Sequence, residues 1–163
     1  MNDKAEHLPI YGPGPAYVAI IVALTAAAIA LSALGVIPVI GAGAASVPLK
    51  VLGVACVVGG VTLWVAAAKG TAIDDGIIEN RLVTRGVYSA VRNPIYSAFT
   101  LACAGTILIF GNPWLLVLLP VFWAFLTLLM KSTEEKWLAN LYGQEYEDYC
   151  ARTNRCIPWF PKR

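Results

Sequence analysis

Two adjacent glutamates, Glu134-Glu135, and an Arg-Asn-Pro triplet, Arg92-Asn93-Pro94, are the residues whose types and spacing could do chemistry. Each set borders an apolar run: no side chain between Arg92 and Lys131 is charged. Carboxylates at such a boundary are costly unless paired or used. Arg85, Arg92 or Arg155 could pair with them structurally. Alternatively, a carboxylate there could accept hydrogen bonds from ribose hydroxyls or hold a ligand ammonium. Pro94 suits the first position of a helix, where no amide hydrogen is needed, and Asn93 before it suits a cap. The open amides of that helix start, with Arg92 beside them, could hold a carboxylate or another anion. Tyr96 would point into the same mouth. A well-capped helix entering a membrane accounts for the triplet equally well.

The elements that position these residues follow from composition. The chain has 163 residues, 58% hydrophobic and 13% charged, with mean hydropathy +0.68. That is far more apolar than a soluble domain requires. The charge is absent from four stretches and gathered at their ends, the pattern of an all-α integral membrane protein. Four spans are predicted, over about 16–37, 47–68, 95–110 and 113–130. The first two are ~33 Å long as helices, enough for a bilayer core. The last two are shorter, roughly 24 and 27 Å. They are joined by Gly111-Asn112-Pro113, a turn signal, and read as a helical hairpin. Pro120 should bend the fourth helix. Gly53, Gly59 and Gly60 allow close helix approach, read as packing within the monomer in preference to a dimer seam.

Of the 12 Lys and Arg residues, all but Lys4 and Lys50 lie in the 69–92 segment or beyond Met130. Positive charge marks the cytoplasmic side, so both polar segments and both termini are expected there. The polar, Pro/Gly-rich start lacks the form of a cleaved signal peptide. Net charge of +2 with no basic run gives no case for nucleic acid. Cys56 and Cys103 fall inside apolar stretches. Cys150 and Cys156 match no common zinc spacing and are expected to be free thiols, with no metal site. Asp74-Asp75 reads as a solvated turn.

Beyond Met130 the fourth helix is expected to continue, with Glu135, Leu138 and Tyr142 on one face, until Gly143 stops it. A second short helix follows over about 144–151, with Tyr146 and Tyr149 on one side and Glu145 and Asp148 on another. Trp137, Tyr142, Tyr146, Tyr149 and Trp159 suit a headgroup layer.

Taken together, LVTRGVYSAVRNPIYSA (82–98), Gly105 and EEKWLANLYGQEYEDYCARTNRCIP (134–158) resemble the isoprenylcysteine carboxyl methyltransferase family and are similar to the related phospholipid N-methyltransferases. The resemblance covers nearly half the chain and adds nothing about the first two helices beyond their being apolar. It divides the chain into 1–68, a tail and two helices, and 69–163, a methyltransferase core. It implies a membrane methyltransferase that uses S-adenosylmethionine at the cytoplasmic face under a C-terminal helical lid. Carried over by position, Arg92, Asn93, Pro94, Tyr96, Glu134, Glu135, Tyr142 and Tyr146 would border the cofactor. Gly143 and Tyr149 would help build the lid. Arg92, Glu135 and Arg155 would serve catalysis, Arg155 meeting a substrate carboxylate or phosphate.

Two positions depart from the family pattern. Asn93 stands where His is usual, and Ala98 where Gly is frequent; the added methyl would narrow the pocket. Asn cannot titrate near neutral pH, and His7 is the lone histidine, so a base at the motif cannot be histidine. An acceptor that arrives already charged needs none. The expected partner is a lipophilic methyl acceptor in a membrane, for a monomer in a prokaryotic plasma membrane. The alternatives, in order, are a phospholipid amine acceptor, a small thiol, an NADPH-dependent membrane reductase, and a non-enzymatic scaffold or channel subunit.

Overall fold

The computed structural model describes residues 12–41, 43–69 and 82–157; His7, Asp74, Asp75, Pro158 and Trp159 lie outside them. Among the described residues, four apolar helices come first in chain order: α1 (Gly14–Ala33), α2 (Ser46–Ala68), α3 (Pro94–Phe110) and α4 (Leu118–Ser132). Two short polar helices follow, α5 (Glu134–Tyr142) and α6 (Gln144–Arg152). No strand occurs among the described residues, only an isolated parallel bridge between Val91 and Asn154. Gly14–Ala33, Gly43–Ala68 and a stretch within Pro113–Tyr142 are long and apolar enough to cross a membrane. The 17-residue α3 is apolar but shorter. The outer faces of α2 and α4 leave Val51, Val58, Trp64, Trp123 and Leu128 exposed, a surface suited to lipid.

The first helix ends earlier than its apolar run. Gly35 takes φ +76°, donating its amide to the Ser32 carbonyl at 3.1 Å. This left-handed residue terminates the helix although Val36 and Ile37 would continue it in composition. Pro120 lies at the start of α4 and not in its interior. A single 3-10 turn over Pro113–Val117 precedes the helix, so Pro120 falls in its first turn, where its missing amide hydrogen costs nothing. The expected continuous extension beyond Met130 is broken at Thr133, with φ −126° and ψ −91°. The Thr133 hydroxyl donates to the Leu129 carbonyl at 2.6 Å, a back-bond that competes with helix geometry. A separate helix, α5, starts beyond this break, and Glu134 and Glu135 open it. Gly143, at φ +53° and ψ −126°, closes α5 and starts α6, as anticipated.

Successive apolar helices run antiparallel. An ideal Cβ on Gly53 would lie 2.7 Å from the Gly105 carbonyl oxygen, and one on Gly60 2.7 Å from that of Ala98. So α2 lies against α3 backbone to backbone, within one molecule, at Gly53 and Gly60. Gly59 is not part of this contact; a Cβ there would meet only Leu101, at 3.4 Å. The other side of α3 packs into a core of Tyr17, Ile21, Cys103, Ile107, Phe122, Leu126 and Met130 from α1, α3 and α4. One end of the bundle is stitched by Asn112, 1% exposed, whose amide donates to Ser32 Oγ (3.1 Å) and the Pro38 carbonyl (3.2 Å). Its Oδ1 accepts from the Trp114 amide at 3.3 Å. Asn112→Leu should therefore destabilise the protein by about 1–3 kcal/mol, since buried partners lose their bonds. Thermal unfolding in detergent checks this. The opposite end gathers the heads of α1 and α3, the tails of α2 and α4, and both short helices.

Candidate active site

The two polar segments are joined through their backbones. The Arg92 amide donates to the Asn154 carbonyl at 2.8 Å, and the Asn93 amide to the Arg155 carbonyl at 3.2 Å. Asn93 occupies the cap position of α3 but does not cap it with its side chain. Its Nδ2 donates instead to the Arg155 carbonyl, at 3.1 Å. Capping was expected from local spacing alone; the acceptor that wins comes from the far end of the chain. Ser97, one turn into α3, adds a third tie: its hydroxyl lies 2.5 Å from the Cys156 carbonyl and 2.9 Å from that of Asn93. Its position on the inner face of α3 made it look like an ordinary helix residue.

This zipper sets the charged centre. Arg155 faces Glu135 as a fork, Nε to Oε1 at 2.5 Å and Nη2 to Oε2 at 2.9 Å. Arg92 Nη2 approaches the same Oε1 at 3.3 Å. Arg85, the third cation considered, is exposed and not among these partners. The Glu135 bond, together with the charge behind it, holds Arg155 more firmly protonated than usual. Arg92 also contacts Cys150 Sγ through Nη1. Its Nε is buried and has no hydrogen-bond partner among the described residues. Buried polar groups are nearly always satisfied, so an orphaned guanidinium N–H inside a charged cluster suits an anionic ligand group.

Glu134 turns away from this cluster. It accepts the Tyr96 hydroxyl at 2.7 Å, linking α5 to the head of α3. It lies beyond the last apolar residue, Met130. Burial there pushes its carboxyl above the ordinary carboxylate range, against the opposing effect of the Tyr96 bond. The adjacent glutamates thus sit in different environments, one between two guanidiniums and one against a neutral hydroxyl.

Helix α6 closes the cluster from the outside. Tyr146 and Tyr149 are 4% and 5% exposed, buried in the protein rather than set in an outer belt. Of the described aromatics expected in such a belt, Trp137 stays exposed. The Tyr149 hydroxyl donates to the Tyr88 carbonyl at 2.6 Å, pinning α6 to the turn at Gly86–Ser89. The Tyr146 hydroxyl is pushed well up, mainly by burial and further by Cys150 and Glu135 beside it. Tyr142 is half-buried, and burial, with Glu145 adding to it, pushes its hydroxyl up. Ala98 is buried, and its carbonyl faces Gly60 of α2. The close backbone approach at this position is to a helix. Cys150, which touches Arg92, carried no signal beyond being a cysteine.

Residues 42–145 match the family model described as phospholipid methyltransferase. Among curated proteins, the chain is 33% identical over 82 residues to a probable protein-S-isoprenylcysteine O-methyltransferase of Oryza sativa subsp. indica, covering 50% of this chain and 42% of that protein. It is 34% identical over 84 residues to a protein-S-isoprenylcysteine O-methyltransferase of Schizosaccharomyces pombe, covering 51% and 35%. It is 32% identical over 81 residues to protein-S-isoprenylcysteine O-methyltransferase B of Arabidopsis thaliana, covering 49% and 41%. The chain thus spans less than half the length of the curated relatives it matches. No solved structure matches it.

Proposed function

The chain belongs to the phospholipid methyltransferase family, and on that premise we propose that it is a membrane-embedded, S-adenosylmethionine-dependent methyltransferase esterifying the carboxylate of a lipophilic acceptor. The four apolar helices cross the membrane, with the candidate site and both termini on the cytoplasmic side of a prokaryotic plasma membrane. The positive residues gathered at that end support this orientation. The core is 69–163, and 1–68 supplies two further helices.

The donor set fits the cofactor. The orphaned Arg92 Nε suits its carboxylate, and Glu134 and Glu135 suit its ammonium and ribose hydroxyls. Asn93, Pro94 and Tyr96 border the same space from α3, and Tyr142 and Tyr146 from the C-terminal lid. When bound, S-adenosylmethionine supplies a methyl group on a positively charged sulfur, which keeps the bonding pair as the methyl leaves.

One observation carries the choice of acceptor: two guanidiniums, Arg92 and Arg155, converge on the single carboxylate of Glu135. The positive excess favours an anion and disfavours an ammonium, which would also have to lose a proton. No histidine stands at position 93 to take it. A carboxylate is already the nucleophile and needs no base. The protein's contribution is then alignment and exclusion of water: Arg92 and Arg155 hold charge in place, Glu135 fixes both, and α6 covers the centre.

The test is transfer of labelled methyl from S-adenosylmethionine into membranes by the purified protein. A carboxylate acceptor yields label that mild base releases as volatile methanol. Base-stable label in phospholipid headgroups would establish amine methylation instead, and a volatile thioether a small-thiol acceptor.

A further inference from the structure

The head of α1 lies outside the family match, yet it touches the candidate site. An ideal Cβ on Gly14 would lie 2.0 Å from the Tyr96 hydroxyl oxygen and 2.4–2.5 Å from two ring carbons, Cε1 and Cζ. One on Gly12 would lie 2.7 Å from Glu134 Oε1. Neither glycine has a positive φ, so backbone conformation does not demand glycine at either place. The requirement is space. The residues that take that space are the two members of one hydrogen bond, Tyr96 to Glu134.

One turn further along α1, Tyr17 meets the Tyr96 ring edge to face, with centroids 6.0 Å apart. Its hydroxyl is tied to Thr100 Oγ1 at 2.7 Å. Tyr96 is thus held between the bare backbone of Gly14 and the ring of Tyr17. The prolines at 13 and 15 restrict the turn that presents this backbone.

We propose that the Gly12-Pro13-Gly14 turn is a positioning element of the methyl-transfer site, seating the Tyr96–Glu134 pair by offering it a surface without side chains. The first helix is then part of the site rather than only an anchor. The assignment rests on the methyltransferase reading for its effect on rate, but the contact can be read without catalysis.

The test compares Gly14→Ala with wild type in detergent, alone and in a Tyr96→Ala background, with Gly59→Ala as the control glycine. The first readout is the infrared carboxyl band of Glu134, identified as the band lost in Glu134→Gln. Gly14→Ala should shift it in the otherwise native protein and leave the spectrum of Tyr96→Ala unchanged. The second readout is kcat per folded molecule. Gly14→Ala should lower it about a hundredfold, the scale of an ångström-sized misplacement. It should have no further effect once Tyr96 is alanine, and Gly59→Ala should match wild type. Gly12→Ala should act more weakly, because its Cβ meets the end of a flexible side chain.

An unmoved Glu134 band in Gly14→Ala overturns the proposal, as does an equal loss of kcat with and without the Tyr96 ring, which would mean simple helix packing. A wild type that transfers no methyl group sinks the functional reading instead, while the infrared band still decides this one.

Discussion

Glu135→Ala should weaken S-adenosylmethionine binding by about ten- to a hundredfold, in line with the 1.5–3 kcal/mol typical of hydrogen bonds to charged groups, and should abolish measurable methyl transfer. The reason is the geometry around one carboxylate. Glu135 holds the Arg155 fork at 2.5 and 2.9 Å and Arg92 at 3.3 Å. Without it two guanidiniums face each other in a partly buried space, and neither keeps its orientation. Removing one partner of a buried ion pair is far costlier than never having made it. Glu135→Gln should be intermediate, since it keeps the shape and one acceptor oxygen while losing the charge. Arg155→Lys should approach the alanine variant, because an ammonium cannot span both carboxylate oxygens. Titration calorimetry gives the affinities. A Glu135→Ala protein that is folded, binds normally and turns over normally would contradict this account of the centre.

Gly105→Ala should destabilise the bundle by about 3 kcal/mol, the upper part of the range for overpacking. A Cβ there would lie 2.5 Å from the Gly53 carbonyl oxygen and 2.8 Å from the Val57 amide nitrogen. Both are backbone atoms of α2 and cannot rotate away, so the helices must separate. Gly53→Ala should behave alike, since its Cβ would meet the Gly105 carbonyl oxygen and the Ile109 amide. Gly59→Ala is the contrast: with only a flexible Leu101 methyl at 3.4 Å, it should be neutral or stabilising by about 0.5–1 kcal/mol through helix propensity. Melting in detergent separates the three. Equal melting temperatures for Gly105→Ala and Gly59→Ala would mean that the backbone contact does not hold α2 to α3. Separation of these helices also shifts the head of α3, where Pro94 and Tyr96 sit, so Gly105→Ala should lose activity along with stability.

The placement of charge made the helical bundle legible, because apolar runs and their charged ends depend only on local composition. The stops at Gly111 and Gly143 were legible for the same reason, each a glycine doing what glycine does locally. Glu135 and its arginine partners could be named as candidates, since few cations border the apolar runs. Choosing Arg92 and Arg155 over Arg85 required the zipper of residues 91–93 with 154–156, a long-range pairing. Asn93 misled for the same reason: its local role as a cap lost to a carbonyl 62 residues away. Thr133 broke a helix that periodicity alone would continue. Gly12 and Gly14 looked like loop composition, and their contact with Tyr96 and Glu134 exists only once α1 is folded against α3.

The most direct measurement is calorimetric titration of the purified protein in lipid nanodiscs with S-adenosylmethionine and, separately, with NADPH. The account predicts saturable binding of S-adenosylmethionine at micromolar concentration, weakened in Glu135→Ala, and no binding of NADPH. Binding of NADPH with none of S-adenosylmethionine would contradict it and place the chain among membrane reductases.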